Sequence, residues 1–167
     1  MKKEIKFKVL VKVPYMYDFL MKNAYQGIKG IAGIIISLGA LILYLKGFGG
    51  DDSFLNALLI IVAAMMVLNP FYLYYKAYKQ VKLNKSFQEP LDYTINKEGI
   101  TVGQGDEEGL IPWEAVATVI ETRKSLLVYT SKRSAFIFPK DELAEEYDAF
   151  KQIIRENIEE KRRSKMK

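Results

Sequence analysis

The sequence predicts a membrane α-helical hairpin of two transmembrane helices joined to an α+β cytoplasmic domain. In that domain an antiparallel bent sheet is capped by a C-terminal helix, and an N-terminal strand joins the same sheet. Three observations predict this. Two apolar runs lie close together, lysines crowd their outer flanks, and short alternating segments separated by turn residues follow them. Half of the residues are hydrophobic, yet the mean hydropathy is −0.03. Apolar and charged residues are therefore segregated along the chain.

The first apolar run, residues 30–45, reads GIAGIIISLGALILYL between Lys29 and Lys46. At about 1.5 Å per residue it covers roughly 24 Å, a little short of a hydrocarbon core of about 30 Å. The stems of the two lysines can snorkel, and the helix can extend at either end, to close the gap. The second run, residues 54–75, contains no charge and is long enough to span. Helices are expected over about 28–46 and 54–76. Between them Lys46-Gly-Phe-Gly-Gly-Asp-Asp-Ser53 forms a short polar turn, so the helices are antiparallel neighbours. The turn holds one lysine. Residues 1–27 carry six, against Glu4 and Asp18, and Lys76, Lys79, Lys82 and Lys85 follow the second run with no acid among them. The positive-inside rule then places the turn outside the cell membrane and both termini in the cytoplasm. Tyr25, Tyr44, Phe48, Phe54, Phe71, Tyr72, Tyr74, Tyr75 and Tyr78 fall where interfacial aromatic belts are expected.

Within the first span Gly30, Gly33, Ser37 and Ala40 are spaced by three, four and three residues. This helix-packing face lets another backbone approach closely, from the second helix or from a second copy of the chain. No ionisable residue sits in mid-span, so nothing marks an ion or proton path.

The segment Glu4-Ile-Lys-Phe-Lys-Val-Leu-Val-Lys-Val13 alternates with period two. It predicts a half-buried strand carrying Ile5, Phe7, Val9, Val11 and Val13 on one face. A lone strand is unstable in water, so its partner must lie beyond the hairpin. The chain divides accordingly into a strand (1–14), a hairpin region (15–80) and a C-terminal domain (81–167). Pro14 is expected to end the strand. Residues 15–26 should form a helix whose Tyr15, Phe19 and Lys22 suit an interface. Strand-like runs follow at 91–95, 100–102, 110–113, 115–121, 126–129 and 135–138. Pro139 stops the last, and an amphipathic helix begins near Asp141. Leu143, Tyr147, Phe150, Ile154 and Ile158 lie on one face of it, acids at its start and Lys161, Arg162 and Arg163 at its end.

These residues carry a resemblance. Two spans, then Tyr93-Thr-Ile-Asn-Lys-Glu-Gly-Ile100, Ile111-Pro-Trp-Glu114 and Phe136-Ile-Phe-Pro-Lys140 opening a terminal helix, resemble the YcxB-like family of bacterial membrane proteins. The Ile-Phe-Pro-Lys segment departs from the Ile-Pro-Lys expected there. The resemblance implies a pleckstrin-homology-like C-terminal domain and supplies no catalytic, cofactor-binding or metal residues.

The chain has no Cys and no His, which removes thiolate nucleophiles, imidazole bases, disulfides and Cys/His zinc sites. From residue 86 onward sixteen acids face thirteen bases, which argues against nucleic-acid binding. The glycines of Gly103-Gln-Gly-Asp-Glu-Glu-Gly109 superficially resemble a phosphate loop. They lack the Gly-Lys-Ser/Thr ending and carry three acids that would repel phosphate. Those acids do not match a calcium-loop spacing either, and a hairpin turn accounts for them. Trp113 fills a core position or serves as a recognition residue. Ser125, Ser131 and Ser134 have no histidine to activate them. Lys76, Lys79, Lys82 and Lys85 set topology and can attract anionic lipid headgroups. The composition thus points to a non-enzymatic, cofactor-free module on a lipid bilayer that recognises a protein, peptide or lipid. The alternative is a small auxiliary or oligomeric membrane subunit acting through its helices, for example in resistance or immunity to a membrane-active agent.

Overall fold

The computed structural model describes residues 4–105 and 107–164. β1 (Ile5–Val9) leads into α1 (Val13–Tyr25), α2 (Ile28–Leu45) and α3 (Ser53–Leu83). Then come β2 (Leu91–Ile95), β3 (Gly99–Gln104), β4 (Glu107–Pro112), β5 (Thr118–Glu121), β6 (Ser125–Tyr129) and β7 (Ala135–Pro139). The chain closes with α4 (Lys140–Leu143), α5 (Tyr147–Asn157) and β8 (Arg163–Ser164).

The strands form two four-stranded sheets, ordered β1-β2-β3-β4 and β7-β6-β5-β8, rather than one bent sheet. β1 pairs antiparallel with β2, Ile5 opposite Ile95 and Val9 opposite Leu91. The hairpin is therefore inserted between two adjacent strands of one sheet. The strand is shorter than its alternation suggests, because Pro14 lies in the first turn of α1. Proline there supplies a helical φ and needs no N–H donor, so Val13 starts a helix instead of ending a strand. The divisions at 14/15 and 80/81 consequently fall inside α1 and α3.

One core joins the sheets, α5, α1 and the far end of α3. Phe138 is its centre, with ring centroids 4.8 Å from Tyr93 and 4.9 Å from Phe150, both edge-on. Such pairs add about 0.5–1.5 kcal/mol each beyond the area they bury. Tyr15, Met16, Phe19 and Leu20 of α1 are buried in this core, so Tyr15 and Phe19 are structural residues of the domain and not interfacial ones. Trp113 is buried at the end of β4, and its Nε1–H donates to the Asn96 carbonyl at 3.0 Å.

The C-terminal helix is broken. Ala144 has φ +41°, a 3-10 turn spans Ala144–Glu146, and α5 restarts at Tyr147. Ile158 caps α5. The basic segment beyond it is not a frayed helix end. Glu160–Arg162 makes a 3-10 turn and β8 pairs parallel with β5. The Arg162 guanidinium donates to the carbonyls of Trp113 and Glu114 at 3.1 and 3.3 Å. Lys165, Met166 and Lys167 of that tail lie outside the described residues, as does Asp106 of the β3–β4 turn.

Candidate membrane-facing site

α2 has 18 residues and α3 has 31, or about 27 and 46 Å of helix. Both are long and apolar enough to cross a membrane, and only 17% and 6% of their apolar windows are buried. Among the described residues, 25 of the 26 large exposed hydrophobic side chains lie between Ile28 and Leu83. A core helix would hide such residues, and a soluble monomer does not expose a patch of this extent. The chain enters and leaves the hairpin at the same end, since the flanking strands β1 and β2 pair in one sheet, and β8 is tied to the same domain by pairing with β5. Both termini of the described chain therefore lie on the side opposite the Gly47–Asp52 turn.

The 13 extra residues of α3 carry the coupling to the sheets. Leu73 and Ala77 are buried against the domain core. The other side of the same stretch presents Phe71, Tyr72, Tyr75 and Tyr78 outward. Lys76, Lys79 and Lys82 are exposed on this stretch, and Lys85 is exposed in the 3-10 turn Lys85–Phe87 that follows it. A spacing of three residues turns each lysine by about 60° from the last. Lys76, Lys79 and Lys82 therefore wind around about a third of the helix instead of forming one stripe. Lys79 Nζ lies 5.8 Å from the Tyr75 ring centroid, a cation–π placement.

The four small residues of α2 do different jobs. Gly30, Ser37 and Ala40 are buried, whereas Gly33 is exposed. A Cβ on Gly30 would lie 2.5 Å from Tyr25 Cα, where α1 meets α2, while one on Gly33 would meet nothing within 4 Å. Gly30 serves the elbow between two helices of the same chain, and the bend itself needs Gly27, whose φ is +82°. Beside them a cavity of about 480 Å³ opens between α2 and α3, lined in part by Gly30, Gly33, Ser37, Met66 and Asn69. Asn69 Nδ2 donates to Tyr25 Oη at 3.0 Å, which ties the elbow to α3. The two partners lie 44 residues apart in the chain.

Other candidates resolve into structural parts. Gly103 and Gln104 end β3, and Glu107 and Glu108 begin β4 around a turn at Gly105 with φ +62°. Among the described residues no group of three or more acids is placed to hold a metal ion. Ser125 is fully buried in β6. Ser131 Oγ accepts the Arg133 and Ser134 N–H groups at 3.3 and 3.1 Å.

One cluster went unmarked in the sequence. Glu121 accepts hydrogen bonds from Lys140 Nζ and Tyr147 Oη at 2.7 Å each, and from Lys151 Nζ at 3.3 Å. Burial alone would push its carboxyl up, but these three donors outweigh it and hold the group at about 2. The residues come from β5, the start of α4 and α5. Only the fold brings them together.

No curated protein and no solved structure matches the chain. The family model of the YcxB-like proteins matches residues 95–154. The stretch from the last residue of β2 into α5 is thus a YcxB-like region.

Proposed function

We propose that the chain is a membrane-anchored binding or regulatory module without enzymatic activity. The hairpin spans the cell membrane, both termini face the cytoplasm, and the sheet domain recognises a protein, peptide or lipid partner at the inner surface. The observation that carries this reading is the exposed apolar surface of α2 and α3 beside a domain in which, among the described residues, Leu110 is the one large hydrophobic side chain exposed. Lysines at the domain end support the orientation. Two sheets, antiparallel except for the β5–β8 pair, with a terminal helix support a pleckstrin-homology-like fold, a scaffold suited to recognition. The test is crosslinking in native membranes followed by copurification. A defined lipid or protein is expected with the wild type, and its recovery should fall when Lys76, Lys79, Lys82 and Lys85 are changed to Gln. Release of the chain by alkaline carbonate, or repeated recovery with neither lipid nor protein, contradicts the proposal.

A second reading is an auxiliary or oligomeric subunit acting through its helices. The open position of Gly33 favours it. Changing Gly33 and Ser37 to Leu should then abolish assembly, and an unchanged oligomeric state in detergent and bilayer removes the idea.

A further inference from the structure

We propose that the β6–β7 turn, Ser131-Lys132-Arg133-Ser134, docks on the headgroup of an anionic phospholipid, whose phosphate sits in the cleft between this turn and the Gln26-Gly27 elbow. The inference rests on the membrane reading above. It gives that reading a ligand and a place separate from the lysines of α3.

α1 acts as a ruler between the domain and the hairpin. Lys12, which precedes it, and Tyr15 in its first turn bond to Glu142 and Asp141. Asp18 then accepts from Thr122, and Asn23 Oδ1 accepts from Tyr129 Oη at 2.7 Å. The series therefore runs β6 toward the hairpin and delivers the turn after Tyr129 to the last residues of α1. There a cleft of about 430 Å³ is lined by Asn23, Gln26, Gly27, Thr118, Ser131 and Lys132, among others. Gly27 is the last residue before α2, and Ile28, which follows it, is 87% exposed. The cleft thus lies where hydrocarbon would give way to headgroups.

Its chemistry suits a phosphate. Asn23 Oδ1 is engaged by Tyr129, which leaves the Nδ2 donors. Gln26 and Ser131 add polar groups and Lys132 adds a positive charge, while the Thr118 hydroxyl is engaged in donating to the Arg162 carbonyl at 2.8 Å. Among the described residues no carboxylate lines the cleft. The acids on neighbouring elements are occupied, Asp18 with Thr122 and Glu121 with Lys140, Tyr147 and Lys151. Arg133 lines the opposite flank of the turn. Neither Lys132 nor Arg133 makes an ion pair with a described residue. A lipid is favoured over a soluble phosphate because Gly27 of the cleft leads directly into the exposed Ile28, where the apolar surface of α2 begins. No motif marks the turn, because two basic residues in a hairpin turn are ordinary.

The test is native mass spectrometry of the full chain released from detergent with phosphatidylglycerol or phosphatidylcholine of matched chains. The wild type should retain phosphatidylglycerol in preference. The K132Q/R133Q variant should lose about fivefold in retention for each charge removed, with an unchanged melting temperature, and K79Q/K82Q should lose less. Equal retention by K132Q/R133Q and wild type overturns the site, as does equal retention of the two lipids by the wild type. Displacement of the lipid by millimolar glycerol phosphate would also overturn it, pointing to a soluble anion. A chain that stays monodisperse without detergent instead overturns the membrane reading itself.

Discussion

Glu121 is largely buried among Lys140, Lys151 and Tyr147, so its charge is answered twice and its oxygens are fully used. Changing it to Gln removes the charge that pairs with both ammonium groups. We expect a loss of about 2–4 kcal/mol, read as a lower midpoint in thermal unfolding of the solubilised protein. The pH dependence has a definite sign. The folded carboxyl is lowered from 4.5 to about 2. Its contribution is therefore complete above pH 4.5 and is lost as the pH falls from there through about 2. The wild type should show this acid-limb loss and Glu121→Gln should lack that component. Tyrosines act at the other limit. Burial raises Tyr93 and Tyr147, and raises Tyr129 to about 12 with help from the Asp18 charge. An unfolded tyrosine ionises near 10, so stability should decline as the pH rises above that value. An ultraviolet absorbance titration should show a group of tyrosines ionising late, and only on unfolding.

Among the elements, the α1–α2 elbow and the broken C-terminal helix give the clearest tests. Gly30→Ala forces a methyl group onto the Tyr25 backbone, which cannot move aside as a side chain could. It should cost about 1–3 kcal/mol, while Gly33→Ala should stay within about 0.5 kcal/mol, both measured by thermal unfolding in detergent. At Ala144 the positive φ penalises any side chain, so Ala144→Gly should stabilise by about 1 kcal/mol. These elements also show what a sequence can reveal. The period-two pattern of Ile5, Phe7 and Val9 and the charge-free run 54–75 are local signals, and β1 and α3 follow them. The break at Ala144 leaves no such signal. The helical spacing of Leu143, Phe150 and Ile154 survives the break, and all three are buried, because tertiary packing and not local preference decides the backbone there. The lysines after the second span were legible from composition alone. The Glu121 cluster and the cleft beside Lys132 were not, since each depends on strands and helices meeting across 19 to more than 100 residues of chain.

For the whole molecule, the insertion of the hairpin between β1 and β2 has a mechanical consequence. The chain leaves the domain through α1 and returns through α3, and both helices are embedded in the domain core. Hairpin and domain are thus joined by two packed helices rather than by a flexible tether. The domain is expected to hold a fixed height above the membrane. In the proposed orientation α2 and α3 lie in the bilayer, with the Gly47–Asp52 turn outside and the sheets inside. Because the chain has no native cysteine, single introduced cysteines report on sidedness without background. The most direct measurement is labelling of intact cells with a membrane-impermeant maleimide, using Asp51→Cys in the outer turn and Lys97→Cys in the β2–β3 turn. The account predicts that Asp51→Cys is labelled in intact cells and Lys97→Cys only after lysis. Labelling of Lys97→Cys from outside, or equal protection of both positions until lysis, would contradict it.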